Sequence, residues 1–276
     1  MRVEFTKLHG VGNDFVVFDA PVPDSLLSPP RLRALADRRT GIGFDQALLL
    51  EPPRRALGAA FYRIFNADGD EVEQCGNGAR CIAALLQRRG LARGGVLALE
   101  SAAGLIQARL AADGEVSVDL GVPDFDPRSL PFDAPAEADS YVLEVAGQPL
   151  EIGAVSLGNP HAVLTEAAVE SAEVARLGPL IERHARFPKR VNAGFLEIVS
   201  RDEVRLRVYE RGAGETRSCG TGACAAVAVA KRRGRLDAQV RVGVRGGELR
   251  VNWAGVGEHI WLTGPAQISF QGHLEV

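Results

Sequence analysis

The sequence predicts an α+β fold of two pseudo-symmetric lobes, each a set of mostly antiparallel strands wrapped around a central helix. Three observations predict it. Blocks from the first half recur in the second half in the same order. Short strand-like stretches separated by glycine-rich turns fill most of the chain. One run of strong helix formers stands out in each half, directly behind a Cys-Gly-x-Gly-Ala motif.

The repeat is read first. Residues 75–90 are CGNGARCIAALLQRRG and residues 219–234 are CGTGACAAVAVAKRRG, identical at eight of sixteen positions with an offset of 144. The same offset aligns Arg63-Ile64-Phe65-Asn66 with Arg207-Val208-Tyr209-Glu210, and Glu71 with Glu215. Further upstream, Gly12-Asn13 has a counterpart in Gly158-Asn159, and Gly43-Phe44 in Gly194-Phe195. Chance matching of Gly/Ala-rich helix starts explains one or two short blocks, not four in one order.

The elements follow in chain order. MRVEFTKLHG reads as a strand, and a helix is expected near residues 30–39. Arg80 to Arg89 is expected to be helical and to stop at Gly90. ARLAADGEVSVDL reads as a hairpin turning at Asp113-Gly114. Residues 121–137 are rich in proline and lack periodicity, which suits a crossing between lobes 1–118 and 119–264. Beyond it, YVLEVAGQPLEIGAVSL returns to strands, a helix is expected within 166–186, and Ala223 to Arg233 repeats the first helix, stopping at Gly234. QVRVGVRGGELRVNWAG reads as a hairpin turning at Gly246-Gly247.

Composition bounds the function. The 276 residues carry a net charge of −3 with no block of like charges, which gives no footprint for nucleic acid or an anionic membrane. No apolar run approaches the ~18 residues of a membrane span, and the first residues lack a signal-peptide pattern; a cytoplasmic protein is expected. Four cysteines in a chain of this length do not make a disulfide scaffold. In a reducing compartment they are free thiols, ligands or catalytic groups.

Cys75 and Cys219 hold the same place in the repeat, just ahead of a helix amino terminus. Unpaired N–H groups and the positive dipole end favour an anion there. The expected consequences are a lowered thiol pKa and a loop able to hold a carboxylate. Two such loops facing each other would let one thiolate remove a proton from a carbon while the opposite thiol supplies one to the other face. The competing readings are ordinary buried cysteine and a zinc site. Cys-x5-Cys and Cys-x4-Cys spacing and the absence of a His-x-x-x-His pattern argue against zinc, so no metal is expected. Neither GxGxxG at a strand-to-helix turn nor GxxxxGK[ST] occurs, so no dinucleotide or nucleotide cofactor is expected either. Cys81 and Cys224 have no common place in the repeat and read as core packing. Asn13, Asn66 and Asn159 stand beside glycine, proline or a turn, so each also reads as a turn residue. A non-catalytic amino-acid-binding protein on the same scaffold is the alternative of another class, but a binder has no need of two repeat-related thiols.

Nearly end to end, the chain resembles the diaminopimelate epimerase family. The stretches that carry the resemblance are HGVGNDFVV (9–17), GIGFDQ (41–46), FNADGDEVEQCGNGARC (65–81), SLGNPHAV (156–163), RVNAGF (190–195) and YERGAGETRSCGTGAC (209–224). The paired cysteine motifs alone also fit proline racemase-like enzymes; the asparagines around them point to the epimerase. The resemblance implies PLP-independent interconversion of LL- and meso-diaminopimelate in lysine and peptidoglycan-precursor synthesis, with no cofactor. It also implies a homodimer, a first lobe completed by residues 265–276, and an active site in the cleft between the lobes. Cys75 and Cys219 match the family's acid/base pair, and His161 and Glu210 match residues that assist the thiols. Gly76, Asn77, Gly220 and Thr221 match loop positions that hold the reacting carboxylate through backbone N–H. Asn13, Gln46, Asn66, Asn159, Asn192, Glu210 and Arg211 match the remaining substrate contacts. Departures are Thr221 for serine, with a backbone contact expected to tolerate it, Ala162 for cysteine, and Phe270 for a tyrosine in the region associated with dimerisation.

Overall fold

The computed structural model describes residues 1–72, 75–92, 94–102 and 104–276. By its internal contacts the chain divides into two compact units, Met1–Val118 with Gly264–Val276, and Asp119–Thr263.

The first unit begins with β1 (Arg2–Gly10) and β2 (Asn13–Asp19), joined by a tight turn in which Val11 and Gly12 both have positive φ. A 3-10 turn and α1 (Pro29–Ala36) lead to β3 (Gln46–Glu51), β4 (Ala60–Asn66) and the short β5 (Glu71–Val72). Then come α2 (Gly76–Arg88), β6 (Val96–Ser101), β7 (Gly104–Leu110) and β8 (Glu115–Asp119). Pairing runs β1-β2-β3-β4-β6-β7-β8, antiparallel except for β2/β3 and β4/β6, with β5 sharing an edge of β4. The second unit contains β9 (Tyr141–Val145), β10 (Gln148–Ser156), β11 (Pro160–Glu166), α3 (Val174–Glu182), β12 (Asn192–Ile198), β13 (Glu203–Glu210), β14 (Gly214–Thr216), α4 (Gly220–Arg232), β15 (Gln239–Val244), β16 (Gly247–Trp253) and β17 (Ile260–Pro265). Its pairing runs β9-β10-β11-β12-β13-β15-β16, antiparallel and then parallel in the same places, with β14 on β13 as β5 lies on β4. β17 continues the order beyond β16. The last strand, β18 (Gln267–Glu275), returns to the first unit and pairs antiparallel with β1, the place β9 takes beside β10.

The sequence repeat therefore marks a repeated topology, although the pairing of Gly43-Phe44 with Gly194-Phe195 is not kept: Gly194 and Phe195 on β12 hold the register places of Leu48 and Leu49 on β3, and Gly43-Phe44 precede that strand. Arg63 forks onto Glu71 across β4 and β5, with Nε and Nη2 at 2.8 and 2.7 Å from its two carboxylate oxygens. Arg207 forks onto Glu215 across β13 and β14 at 2.7 and 3.1 Å. Each main helix stops as expected: Gly90 and Gly234 follow α2 and α4 with φ near +70°, which glycine adopts without a Cβ penalty. Both helices begin earlier than the helix formers alone suggested, because the Gly-x-Gly-Ala residues already form the first turn. The turn of the β15/β16 hairpin falls on Arg245-Gly246, one residue before the expected Gly246-Gly247.

Packing follows from composition. α4 is alanine- and valine-rich and buried along Gly220–Ala230, so strands can approach it on several sides. β10 comes closest at Gly153, where a Cβ would fall 2.2 Å from Cγ1 of Val229. α2 is two-faced, with Leu85 and Leu86 buried and Arg88 and Arg89 exposed. Separate apolar clusters fill the units: Phe5, Phe18, Leu32, Phe44 and Phe65 in the first, and Leu143, Ile152, Ile181, Phe187 and Phe195 in the second. Among the described residues, no helix is long and apolar enough to cross a membrane.

Candidate active site

Each cysteine of the repeat is the residue that caps its helix. Cys75 and Cys219 have extended backbone (φ −148° and −117°), and each Sγ accepts a hydrogen bond at 3.4 Å from an N–H in the first helical turn, Gly78 and Gly222 respectively. A thiol in the usual place of a serine or aspartate cap is a weaker acceptor. It leaves the remaining first-turn N–H groups, those of Gly76 and Asn77 or Gly220 and Thr221, at the positive end of the helix.

In the first unit, Asn13 opens β2 beside this cap. Its Oδ1 accepts from Asn77 Nδ2 at 3.1 Å and lies 4.0 Å from Cys75 Sγ. Gln46 and Asn66 lie opposite each other on β3 and β4, and Gln46 Nε2 donates to Asn66 Oδ1 at 2.9 Å. Asn66 also closes the turn to β5, with its N–H on Asp70 O and its C=O accepting from Gly69 N–H, as the turn reading expects. Cys75 is half-buried, and the buried phenol of Tyr62 on β4 feels its charge and bonds with Ser101.

In the second unit, His161 on β11 lies opposite Asn192 on β12, and Ala193 opposite Tyr209 sets Asn192 beside Glu210. Asn192 is a structural hub: Nδ2 donates to Pro160 O at 3.0 Å and Oδ1 accepts the Arg211 N–H at 2.9 Å. The Arg211 side chain is exposed and gives one N–H to Lys189 O at 3.3 Å. Asn159 Oδ1 meets His161 Nε2 at 3.0 Å, and Asn159 Nδ2 donates to Thr221 Oγ1 at 3.3 Å. His161 is 1% exposed; burial, with the Arg211 charge in support, pulls it down to about 3, so the ring is neutral and Nε2–H can donate to Asn159.

One expectation is corrected by the structure. The helix terminus was expected to lower both thiol pKa values, yet Cys219 lies well above the ordinary value. Burial is the main cause and the Glu210 carboxylate the next, and together they outweigh the bonds from Thr221 and Gly222 that favour the thiolate. The Thr221 hydroxyl sits 3.6 Å from Cys219 Sγ and takes the Asn159 amide. Glu210 in turn accepts from the Thr216 hydroxyl. Cys81 and Cys224 are fully buried, and burial pushes Cys81 up to about 12, which suits core packing. Among the described residues, no cluster of His, Cys, Asp and Glu is arranged to hold a metal.

One prediction arises from Cys219. Because its pKa is raised, the thiol stays protonated through neutral pH and labelling should rise only on the alkaline side. Glu210→Gln removes one of the raising causes and should move that rise toward lower pH. Mass-mapped alkylation of Cys219 against pH measures it, and an unmoved profile would mean that Glu210 does not reach the thiol.

Sequence reasoning missed a group of charged residues behind Asn13. Lys7, Asp14, Arg38 and Asp45 form one network (Lys7 to Asp14 2.5 Å, Arg38 to Asp14 2.7 Å, Arg38 to Asp45 2.8 Å). Asp14 and Asp45 stand in the stretches NDF and GFDQ, so the signal was present, but their pairing across 31 residues is a product of the β2/β3 register.

Comparison with solved structures gives the class of the fold. A hydroxyproline epimerase from Agrobacterium vitis superposes with a TM-score of 0.72 at 20% identity, covering 99% of this chain and 92% of the other. A probable proline racemase from Agrobacterium radiobacter gives 0.73 at 20% identity, covering 99% and 93%. At that identity the likeness shows a shared fold, the doubled α+β fold of these racemases. The family model described as diaminopimelate epimerase matches residues 5–125 and 153–269. Diaminopimelate epimerases of Thioalkalivibrio sulfidiphilus and Alkalilimnicola ehrlichii are 54% and 52% identical to the chain, each covering 100% of both sequences. The chain belongs to the diaminopimelate epimerase family.

Proposed function

We propose that the chain interconverts LL- and meso-2,6-diaminopimelate without PLP or any other cofactor, in lysine and peptidoglycan-precursor synthesis. The observation that carries this reading is the pair of cysteines that cap repeat-related helices in a chain 54% identical over its full length to a diaminopimelate epimerase. β18 completes the first of the two units. One thiolate takes the α-proton onto sulfur, leaving the electron pair on carbon and its carboxylate. The opposite thiol gives its proton to the other face and becomes the thiolate. First-turn N–H groups of Gly76, Asn77, Gly220 and Thr221 hold the carboxylate while it gains charge, the term that lowers such a barrier most. Glu210 and neutral His161 assist the thiols. Asn13, Gln46, Asn66, Asn159, Asn192 and Arg211 read the charges and handedness of the distal amino-acid end, where the guanidinium takes the second carboxylate. A raised thiol pKa supports this chemistry, because a thiolate that is costly to form is a stronger base toward carbon.

The test is turnover in deuterated water. The expected result is α-deuterium in diaminopimelate with approach to the LL/meso equilibrium. Reduced, folded protein that incorporates none would overturn the reading, and turnover of proline alone would move it to proline racemisation. The protein is proposed to work in the cytoplasm as a homodimer. Phe270, half-exposed on β18 against Phe5, is an apolar group suited to an interface, and sedimentation velocity distinguishes dimer from monomer.

A further inference from the structure

The charged network behind β2 ends on the side-chain amide of Asn13. Asp45 Oδ2 accepts from Asn13 Nδ2 at 2.8 Å and from the Asp14 N–H at 3.1 Å. Asp45 Oδ1 takes Arg38 Nη2 at 2.8 Å. Arg38 also holds both oxygens of Asp14, at 2.7 and 2.8 Å, and the Lys7 ammonium closes the far side. Asp14 Oδ1 returns a bond from the Asp45 N–H at 3.0 Å. Two cations and two anions thus fix one carboxylate oxygen in front of one amide.

A carboxylate in this setting only accepts. It therefore selects the NH2 end of Asn13 and turns the carbonyl oxygen the other way, toward Asn77 Nδ2 and Cys75 Sγ. The equivalent residue of the second unit is set the opposite way. There the Asn159 oxygen faces the His161 ring, and its NH2 faces Thr221 beside Cys219. The register explains why one device cannot serve both: Phe15, opposite Gln46, fills the place that His161 holds opposite Asn192. Without an imidazole, the first unit orients its asparagine from behind with a carboxylate.

We infer that Asp45, held by Arg38 and Asp14, is a positioning residue that fixes the Asn13 amide with its oxygen toward Cys75, and so sets this thiol as a hydrogen-bond donor. The inference deepens the two-thiol reading and rests on it. A carbonyl oxygen facing sulfur favours S–H over thiolate. Among the described residues, Tyr62 on β4 and Cys81 on α2 are titratable groups that feel Cys75.

The test is Asp45→Asn in the full chain. The variant keeps the shape but can face Asn13 with either end of its amide, so Asn13 is free to turn its NH2 toward the sulfur. The expected results are a fall in kcat of about 10²-fold with a smaller change in KM, and a mass-mapped alkylation profile of Cys75 moved to lower pH by about one unit. A merely structural role would lower the melting temperature and leave that profile in place. Should the variant not fold, the wild type decides: the Asn13 side-chain NH2 should exchange slowly with water in NMR spectra, as an amide held by a carboxylate does. An unmoved Cys75 profile and unchanged kcat, or a rapidly exchanging Asn13 amide, overturns the inference. Wild-type protein without α-deuterium exchange overturns instead the two-thiol reading.

Discussion

Replacing Cys75 or Cys219 by alanine should abolish diaminopimelate epimerisation, with an expected loss of about 10³-fold or more in kcat, and should leave both units folded. Each thiol accepts one long bond from a first-turn N–H, so removing it costs the helix about 1 kcal/mol or less. The expected chemical loss is far larger, because among the described residues neither His161 nor Glu210 is set to replace sulfur as proton carrier at carbon. Neutral, fully buried His161 is tied to Asn159, and Glu210 holds the Thr216 hydroxyl. By contrast, Cys81→Ala and Cys224→Ala should keep full turnover, since both sulfurs lie in the core. Time courses of substrate stereochemistry, with circular dichroism to verify folding, check all four variants. Activity surviving in either capping-cysteine variant would refute the two-base mechanism.

The second large effect is on stability, at Gly41. The loop after α1 folds back on the end of its own helix. Gly41 N–H bonds to Asp37 O at 2.9 Å, and Ile42 and Gly43 both donate to Leu35 O, at 2.8 and 3.0 Å. This brings the Gly41 Cα so close that a Cβ would lie 2.4 Å from Ala34 O and 2.5 Å from Leu35 O. Those atoms are backbone and cannot rotate aside. Gly41→Ala should therefore cost about 3 kcal/mol and lower Tm by roughly 6–12 °C. The same displacement would move Asp45 and Gln46, so activity at permissive temperature should fall as well. A melting curve like that of the parent would show that the loop can shift freely.

Gly41 illustrates what could and could not be read in the sequence. The stretch GIGFDQ was visible as a motif, but its glycine's reason is contact with carbonyls six and seven residues back, which no periodicity reports. The repeat was legible because its strongest matches answer short-range demands: a helix cap, a helix stop, a fork of Arg63 or Arg207 onto a strand neighbour. Gln46 and Asn192 were found only through resemblance. They hold equivalent register positions, but insertions between the blocks shift their offset. The lowered thiol pKa expected for Cys219 followed from the helix terminus alone and missed the burial and the Glu210 charge, which depend on tertiary packing. The Thr221 hydroxyl's contact with Asn159 was not legible for a related reason, since the two are distant in sequence.

The path of the chain through the two units bears on how the protein is made. Residues 119–263 form a contiguous unit, whereas the first unit needs 264–276 as well. β18 lies along β1 throughout, and Val276 N–H reaches Met1 O at 2.9 Å. On the ribosome, the half that emerges first is therefore the half that is finished last. Until β18 has emerged, β1 carries an open edge of unpaired N–H and C=O groups, the kind of edge through which chains pair wrongly. The second half, complete once Thr263 has left the exit tunnel, can fold while the first still waits for its outermost strand, a reversal of the usual vectorial order.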